Sequence, residues 1–290
     1  MVSTRDAYAF CERLAREHYE NFPVASILLP KSMRPHVAAI YAFARTADDI
    51  ADEPGRDAGE RLRLLGDFRL RLQAAAAHAP PAGDHIFIAL RDTIDRCDLP
   101  VQLLSDLLSA FEQDVVVNRY RTWSDVEDYC RRSANPVGRL VLRVAGVRND
   151  AAERASDAVC TALQLANFWQ DFGRDWQNGR LYVPAEEVQR YGAAEQDLVE
   201  GTMSAEWRET LRACVQRTRR LFEEGRPVAD HVRGRLRFEL RATWLGGVRI
   251  LEKIEAMGYD TLRQRPKLTA PDAARIVAGV GLWRRIAHRT

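Results

Sequence analysis

Two stretches of the chain carry carboxylates at a spacing that could hold a cation. In Arg45-Thr46-Ala47-Asp48-Asp49-Ile50-Ala51-Asp52, Asp48 and Asp52 are four residues apart and Arg45 precedes Asp48 by three. On a helix these three side chains share a face. Between Gln164 and Asp175, the residues Gln164, Asn167, Asp171 and Asp175 fall on one stripe roughly 80° wide at about 100° per residue. The neighbours are apolar: Val37 to Ala44 beside the first stripe, and Ala162, Leu163, Leu165, Ala166 and Phe168 beside the second. Such helices are expected to be largely buried. Aspartates are rarely buried unless paired or bound to metal, and like charges one turn apart repel. Two such pairs facing a common cavity would be costly without cations to fill it. Mg²⁺, which takes oxygen ligands and is held by one or two carboxylates together with phosphates, resolves that conflict. Either pair alone reads equally well as a solvated helix end; the two together, with Asn167 and Gln164 on the second stripe, favour the metal.

Other chemistries find no support. The six histidines make no zinc spacing. Gly279-Val280-Gly281 lies in an apolar segment and is no dinucleotide fingerprint; neither a nucleophile elbow nor a P-loop occurs. The five cysteines are dispersed with no C-x-x-C pair, which fits reduced thiols serving as small core residues in a cytoplasmic protein. A net charge of +2 gives no support to nucleic-acid binding. No secretory pattern opens the chain and no run approaches about 18 apolar residues, so it is expected to be soluble or to rest on a membrane surface.

The elements that must position the acidic stripes are helices. Helical periodicity dominates the 290 residues, and hairpin signals between alternating runs are missing. A helix over roughly 32–53 ends at Pro54-Gly55. The Pro80-Pro81-Ala82-Gly83 cluster stops an Ala-rich helix, and Asp84 is placed to cap the next. Thr122 and Asp125 form a capping-box pattern, and Asn135-Pro136 marks a break with proline in the following first turn. One long helix is expected from about 150 to 177, stopped by Asn178-Gly179. No linker or repeat is visible, so residues 1–290 read as a single all-α domain.

The ordered motifs resemble the squalene and phytoene synthases, the head-to-head prenyl synthases. The resemblance rests on Asp48-x-x-x-Asp52 with Arg45, on Tyr129-Cys130 followed by Asn135-Pro136-Val137-Gly138, on the Gln164-to-Asp175 stripe, and on Gly179-Arg180-Leu181-Tyr182-Val183-Pro184. Ile250-Leu251-Glu252-Lys253-Ile254 and Tyr259-Asp260 extend it almost to the end. Within the family, Glu20-Asn21-Phe22-Pro23-Val24-Ala25-Ser26, Ser133 to Leu140 and Asn167-Phe168-Trp169-Gln170-Asp171 are most similar to bacterial hydroxysqualene synthases of hopanoid biosynthesis.

The resemblance implies an isoprenoid synthase helical bundle with a central cavity. It implies that Asp48, Asp52, Asn167, Asp171 and Asp175 hold Mg²⁺, which makes diphosphate a leaving group. Substrate contacts carried over are His18, Asn21, Phe22, Tyr41, Arg45, Gln164, Phe168 and Tyr182, with Tyr129 as the catalytic cavity tyrosine. Arg45 reads either as a phosphate donor or as a structural partner of Asp48 or Asp49. Phe22, Tyr41, Phe168 and Trp244 read either as cation-facing aromatics or as ordinary core. The activity implied is conversion of presqualene diphosphate to hydroxysqualene, with a separate flavoprotein reducing the product. The alternatives are a presqualene diphosphate or phytoene-type synthase joining two prenyl diphosphates, and a non-catalytic helical assembly factor. Relatives often have Ser at Asn21, Arg at Gln170, an acid at Arg174 and Tyr near Gly246-Gly247. The loss of Arg at Gln170 suggests a missing positive charge beside Asp171, and therefore a protein receiving one diphosphate rather than two. The C-terminal Ile276, Val277, Val280, Trp283 and Ile286, with Arg284, Arg285 and Arg289, read either as a helix packed on the core or as a membrane-surface contact.

Overall fold

The computed structural model of the protein describes residues 2–17, 29–53 and 55–283. His18, Asn21 and Phe22 lie outside the described residues, as does Pro54. Among the described residues no strand forms, and Arg119 and Leu181 meet in an isolated bridge. The helices are α1 (Thr4–Glu17), α2 (Arg34–Asp52), α3 (Ala58–Ala76), α4 (His85–Cys97), α5 (Val101–Val116), α6 (Trp123–Ser133), α7 (Asn135–Val144), α8 (Asp150–Gln170), α9 (Phe172–Gln177), α10 (Ala185–Tyr191), α11 (Glu195–Val199), α12 (Ala205–Gly225), α13 (Gly234–Ala256) and α14 (Ala270–Gly281). The all-α architecture expected from the periodicity is the one observed.

Local chemistry sets most of the boundaries. Asp57 and Asp84 cap α3 and α4 by accepting from the amides of Glu60 and Phe87. Thr122 and Asp125 exchange the reciprocal bonds of a capping box at 2.9 and 3.2 Å. Proline occupies the first turn of α2, α7 and α14, where its missing N–H costs nothing. The expected long helix over 150–177 is broken at Asp171, which separates α8 from α9.

The chain divides into two units, Met1–Val117 with Arg132–Glu153, and Asn118–Arg131 with Arg154–Thr290. In the first, Phe43, Phe68 and Phe87 pack ring on ring at centroid distances of 4.8–6.0 Å, surrounded by Leu65, Leu72, Leu90, Leu104 and Leu108. Small residues, Ala7, Cys11, Ala38, Ala39, Ala42 and Ala89, let α1, α2 and α4 approach closely. The Tyr8 hydroxyl ties α1 to Asp92 at 2.8 Å and to Thr93 at 2.9 Å.

In the second unit, Trp169, Trp207 and Phe222 are fully buried. The Trp169 indole donates to Thr218 at 2.7 Å, and that of Trp244 to the Phe222 carbonyl at 2.6 Å. Trp244 also meets Trp283 edge to face, so its ring is engaged in core packing. Gly247 is needed for this packing: a Cβ there would lie 2.3 Å from the Phe222 ring. At Gly246, also buried, a Cβ would meet nothing nearer than Leu268 at 3.9 Å. Of the two glycines, Gly246 is the one with room for a larger side chain.

Candidate functional site

In the first unit the acidic stripe lies on α2, a regular helix whose opposite face buries Ala39, Ala42, Phe43, Ala47 and Ala51. The expectation of buried aspartates is corrected here: the side chains of Asp48 and Asp49 are 42% and 52% exposed, and Asp52 is exposed too. The apolar residues and the acids occupy different faces of one amphipathic helix, so their repulsion is partly screened by water. Arg45 reaches Asp49 at 2.6 Å and Asp48 at 3.4 Å. It is an ion-pair partner of both aspartates in this structure, while its buried Nε has no partner among the described residues. Burial raises the hydroxyl pKa of Tyr41, with smaller opposed effects from Arg45 and from Asp49 and Asp48. Tyr41 therefore sits within the field of this stripe.

In the second unit the stripe runs through the α8–α9 junction. Asp171 has φ −97° and ψ 9° and its side chain caps nothing. Its amide still bonds to the Asn167 carbonyl at 2.8 Å, and Asp175 bonds back to Asp171 at 2.9 Å. The amide of Gly173 instead turns outward to the Thr261 carbonyl at 3.3 Å. A Cβ on Gly173 would lie 1.9 Å from the Leu262 carbonyl oxygen. The backbone at residues 261–262 thus presses against the helix at its one residue without a side chain, and the helix breaks there.

The segment that breaks the helix also supplies a residue that sequence reasoning missed. Arg265 forks Asp171, with Nε on Oδ1 and a terminal nitrogen on Oδ2 at 3.0 Å. Arg174 lies 3.9 Å from the same carboxylate. Gln170 is 7% exposed, and its amide donates to the Pro266 carbonyl at 2.7 Å. The expected charge deficit beside Asp171 is therefore corrected. Gln170 faces the 261–266 strap, and two guanidinium groups surround Asp171.

Phe168 lies three residues before Asp171, about 4.5 Å along the helix axis. Its ring stacks on Tyr182 at 3.7 Å and 6°. Tyr129 stands 6.1 Å from Phe168 and 6.3 Å from Tyr182. The structure thus brings together Tyr129, Phe168 and Tyr182, all nearly buried. Tyr120, unsuspected from sequence, completes the cluster at 5.7 Å from Tyr129 and 5.8 Å from Tyr182. Gln164 is half-buried and Asn167 exposed on the same helix.

Each stripe offers oxygen donors one helical turn apart, the type and number that Mg²⁺ takes from protein when phosphates supply the rest. Among the described residues no three His, Cys, Asp or Glu side chains converge as a ready-made metal centre. The donor chemistry suits Mg²⁺ shared with a substrate, not a closed all-protein cage.

The squalene/phytoene synthase family model matches residues 15–272, a span that runs through both units. The chain belongs to the squalene/phytoene synthase family. This is a family of prenyl-diphosphate-processing enzymes. Within it, the chain is similar to a hydroxysqualene synthase of Sinorhizobium fredii, at 34% identity over 95% of this chain and 91% of the relative. It is also similar to a 15-cis-phytoene synthase of Synechococcus elongatus, at 29% identity over 91% of this chain and 89% of the relative. The crystal structure of the squalene synthase HpnC of Alicyclobacillus acidocaldarius superposes with a TM-score of 0.83. It is 40% identical to this chain, covering 88% of it and 95% of HpnC.

Proposed function

We propose that the protein converts presqualene diphosphate to hydroxysqualene as a single Mg²⁺-dependent catalytic domain. The observation that carries this reading is the stacked Phe168–Tyr182 pair with Tyr129, one turn of helix from the Asp171–Arg265 pair. A charged carboxylate-guanidinium end adjoining nearly buried π-faces suits a substrate that is diphosphate at one end and hydrocarbon at the other. The likeness to hydroxysqualene synthases directs the choice of substrate.

Asp48 and Asp52 would hold metal on one stripe, and Asn167, Asp171 and Asp175 on the other. Bound Mg²⁺ supplies charge neutralisation that lets diphosphate depart with the electron pair of its C–O bond. Arg45 and Arg265 would each donate charge-assisted hydrogen bonds to phosphate oxygens. The Tyr129 ring and an outer face of the Phe168–Tyr182 stack would stabilise the carbocation, by about 2 kcal/mol for a ring it meets in a desolvated site. The cyclopropylcarbinyl cation left behind would rearrange with cleavage of a cyclopropane C–C bond; a water oxygen would then form the new C–O bond, its proton leaving to solvent or to the departed diphosphate. The product is an alcohol, so a separate flavoprotein reductase is required to reach the hydrocarbon, and no nicotinamide cofactor is consumed in this step.

A second reading, coupling of two prenyl diphosphates, is favoured by one observation: Arg265 and Arg174 restore the positive charge near Asp171. Mass spectrometry of products separates the two. Hydroxysqualene from presqualene diphosphate with no coupling of farnesyl diphosphate supports the first reading. Presqualene diphosphate formed efficiently from farnesyl diphosphate alone replaces it with the second.

A lipid substrate also calls for access to a bilayer. Among the described residues no helix is long and apolar enough to cross one. On α14 and just after it, Val277 is 66% and Leu282 50% exposed. Residues 273–290 contain Arg275, Arg284, Arg285 and Arg289 and no acid, a composition suited to an anionic membrane surface. Val277→Glu with Leu282→Glu is expected to reduce co-sedimentation with anionic liposomes severalfold; unchanged binding would remove the membrane contact.

A further inference from the structure

We propose that Gln170 is a positioning residue: its amide, by holding the Pro266 carbonyl, sets the Arg265 guanidinium on Asp171. This rests on the reading of Asp171 and Arg265 as groups that handle diphosphate.

Gln170 and Asp171 are adjacent at the helix break, and Pro266 and Arg265 are adjacent on the strap. The contacts run in reverse order, with 170 on 266, 171 on 265 and 173 on 261. The strap is anchored well on either side. Upstream, Arg263 holds the Gly201 carbonyl at 2.8 and 3.0 Å. Downstream, Thr269 and Asp272 form a capping box, and Asp272 takes Arg249 and Lys253 at 2.7 and 2.8 Å. Between Arg263 and Thr269, among the described residues, the hydrogen-bonded anchors are the Gln170–Pro266 bond and the Arg265 fork itself.

Proline makes the single backbone bond effective. Pro266 has no N–H, so its carbonyl is its hydrogen-bonding handle, and its ring fixes φ and restricts Arg265 before it. Fixing that carbonyl therefore fixes the base of the Arg265 side chain. A pinned base reduces the rotamer freedom the guanidinium must give up to meet a carboxylate or a phosphate. Gln170 itself is almost wholly buried, and one of its two amide N–H donors is committed to the strap.

The test is a double-mutant cycle on the full chain with Mg²⁺ and inorganic pyrophosphate as the probe, read by calorimetry. Gln170→Met keeps volume and removes the donor, and is expected to weaken binding about fivefold, the scale of one net hydrogen bond. In an Arg265→Gln background the same change is expected to have no further effect. Equal losses in both backgrounds, or none in the first, overturn the proposal. A ligand-free arm follows exchange of the Arg265 Nε–H with solvent by NMR. It is expected to quicken severalfold in Gln170→Met, and unchanged exchange also overturns the proposal. If the wild type binds no pyrophosphate, the functional reading falls while this second arm still decides the role of Gln170. Should Gln170→Met fail to fold, Gln170→Leu, also uncharged and without a donor, takes its place with the same expectations.

Discussion

On α2 the guanidinium that offsets the aspartates comes from the same helix, three and four residues away, and every member of the group is about half exposed. At the α8–α9 junction the guanidinium comes from 94 residues downstream, forks its partner, and both side chains are about three-quarters buried. The first arrangement costs little and constrains little, because exposed pairs within a helix contribute about 0.3–0.5 kcal/mol. The second couples the charge of Asp171 to the position of a whole strap. The Asp171 carboxylate is thus held by tertiary structure, and the α2 aspartates by local spacing alone.

The largest expected effect tests whether the two stripes share a role at all. Asp48→Asn and Asp171→Asn are each expected to lower turnover of presqualene diphosphate by at least about 10²-fold, the scale of losing electrostatic stabilisation of a leaving group. EDTA is expected to abolish it. Full turnover in either variant would remove that stripe from the proposed metal chemistry, and full turnover in EDTA would remove the metal itself. A smaller effect separates the guanidiniums. Arg265→Gln removes a part-buried charged fork and is expected to destabilise the fold by about 1.5–3 kcal/mol, whereas Arg45→Gln should change stability by less than about 0.5 kcal/mol. Chemical denaturation measures both; equal losses would mean that the long-range pairing has no special weight.

The comparison also explains what could be read from the sequence. The α2 stripe was legible because its partners lie within one turn, and so were the caps at Asp84 and at Thr122–Asp125, where the pattern is local. The second stripe was legible as a set of donors and not as a geometry. Nothing between Gln170 and Phe172 breaks a helix by itself; the break comes from the Leu262 backbone, and Gly173 was its only local trace. Arg265 and the strap carry no periodic signature linking them to Asp171. Apolar neighbours do not bury the α2 aspartates, because the two occupy different faces of the helix. Tyr120 escaped notice because its place in the aromatic cluster depends on a chain crossing with Leu181.

Another carboxylate, Glu239, differs from these aspartates in being buried with one oxygen unpartnered among the described residues. Glu239 on α13 is 7% exposed, and its buried Oε2 has no hydrogen-bond partner among the described residues. Burial pushes its pKa up to about 7. In the unfolded chain the same group titrates near 4.3, so between those values the folded state holds a proton that the unfolded state has lost. Stability therefore falls as pH rises across that window, by up to about 3 kcal/mol once the window is passed. Glu239→Gln removes the ionisation while keeping the shape. It is expected to match the wild type in melting temperature near pH 4.5 and to exceed it by a few degrees at pH 8. Parallel melting curves for the two proteins across this range would show that Glu239 gains a partner when it ionises. It would then belong with the paired aspartates, and burial alone would not set the cost of a carboxylate in this unit.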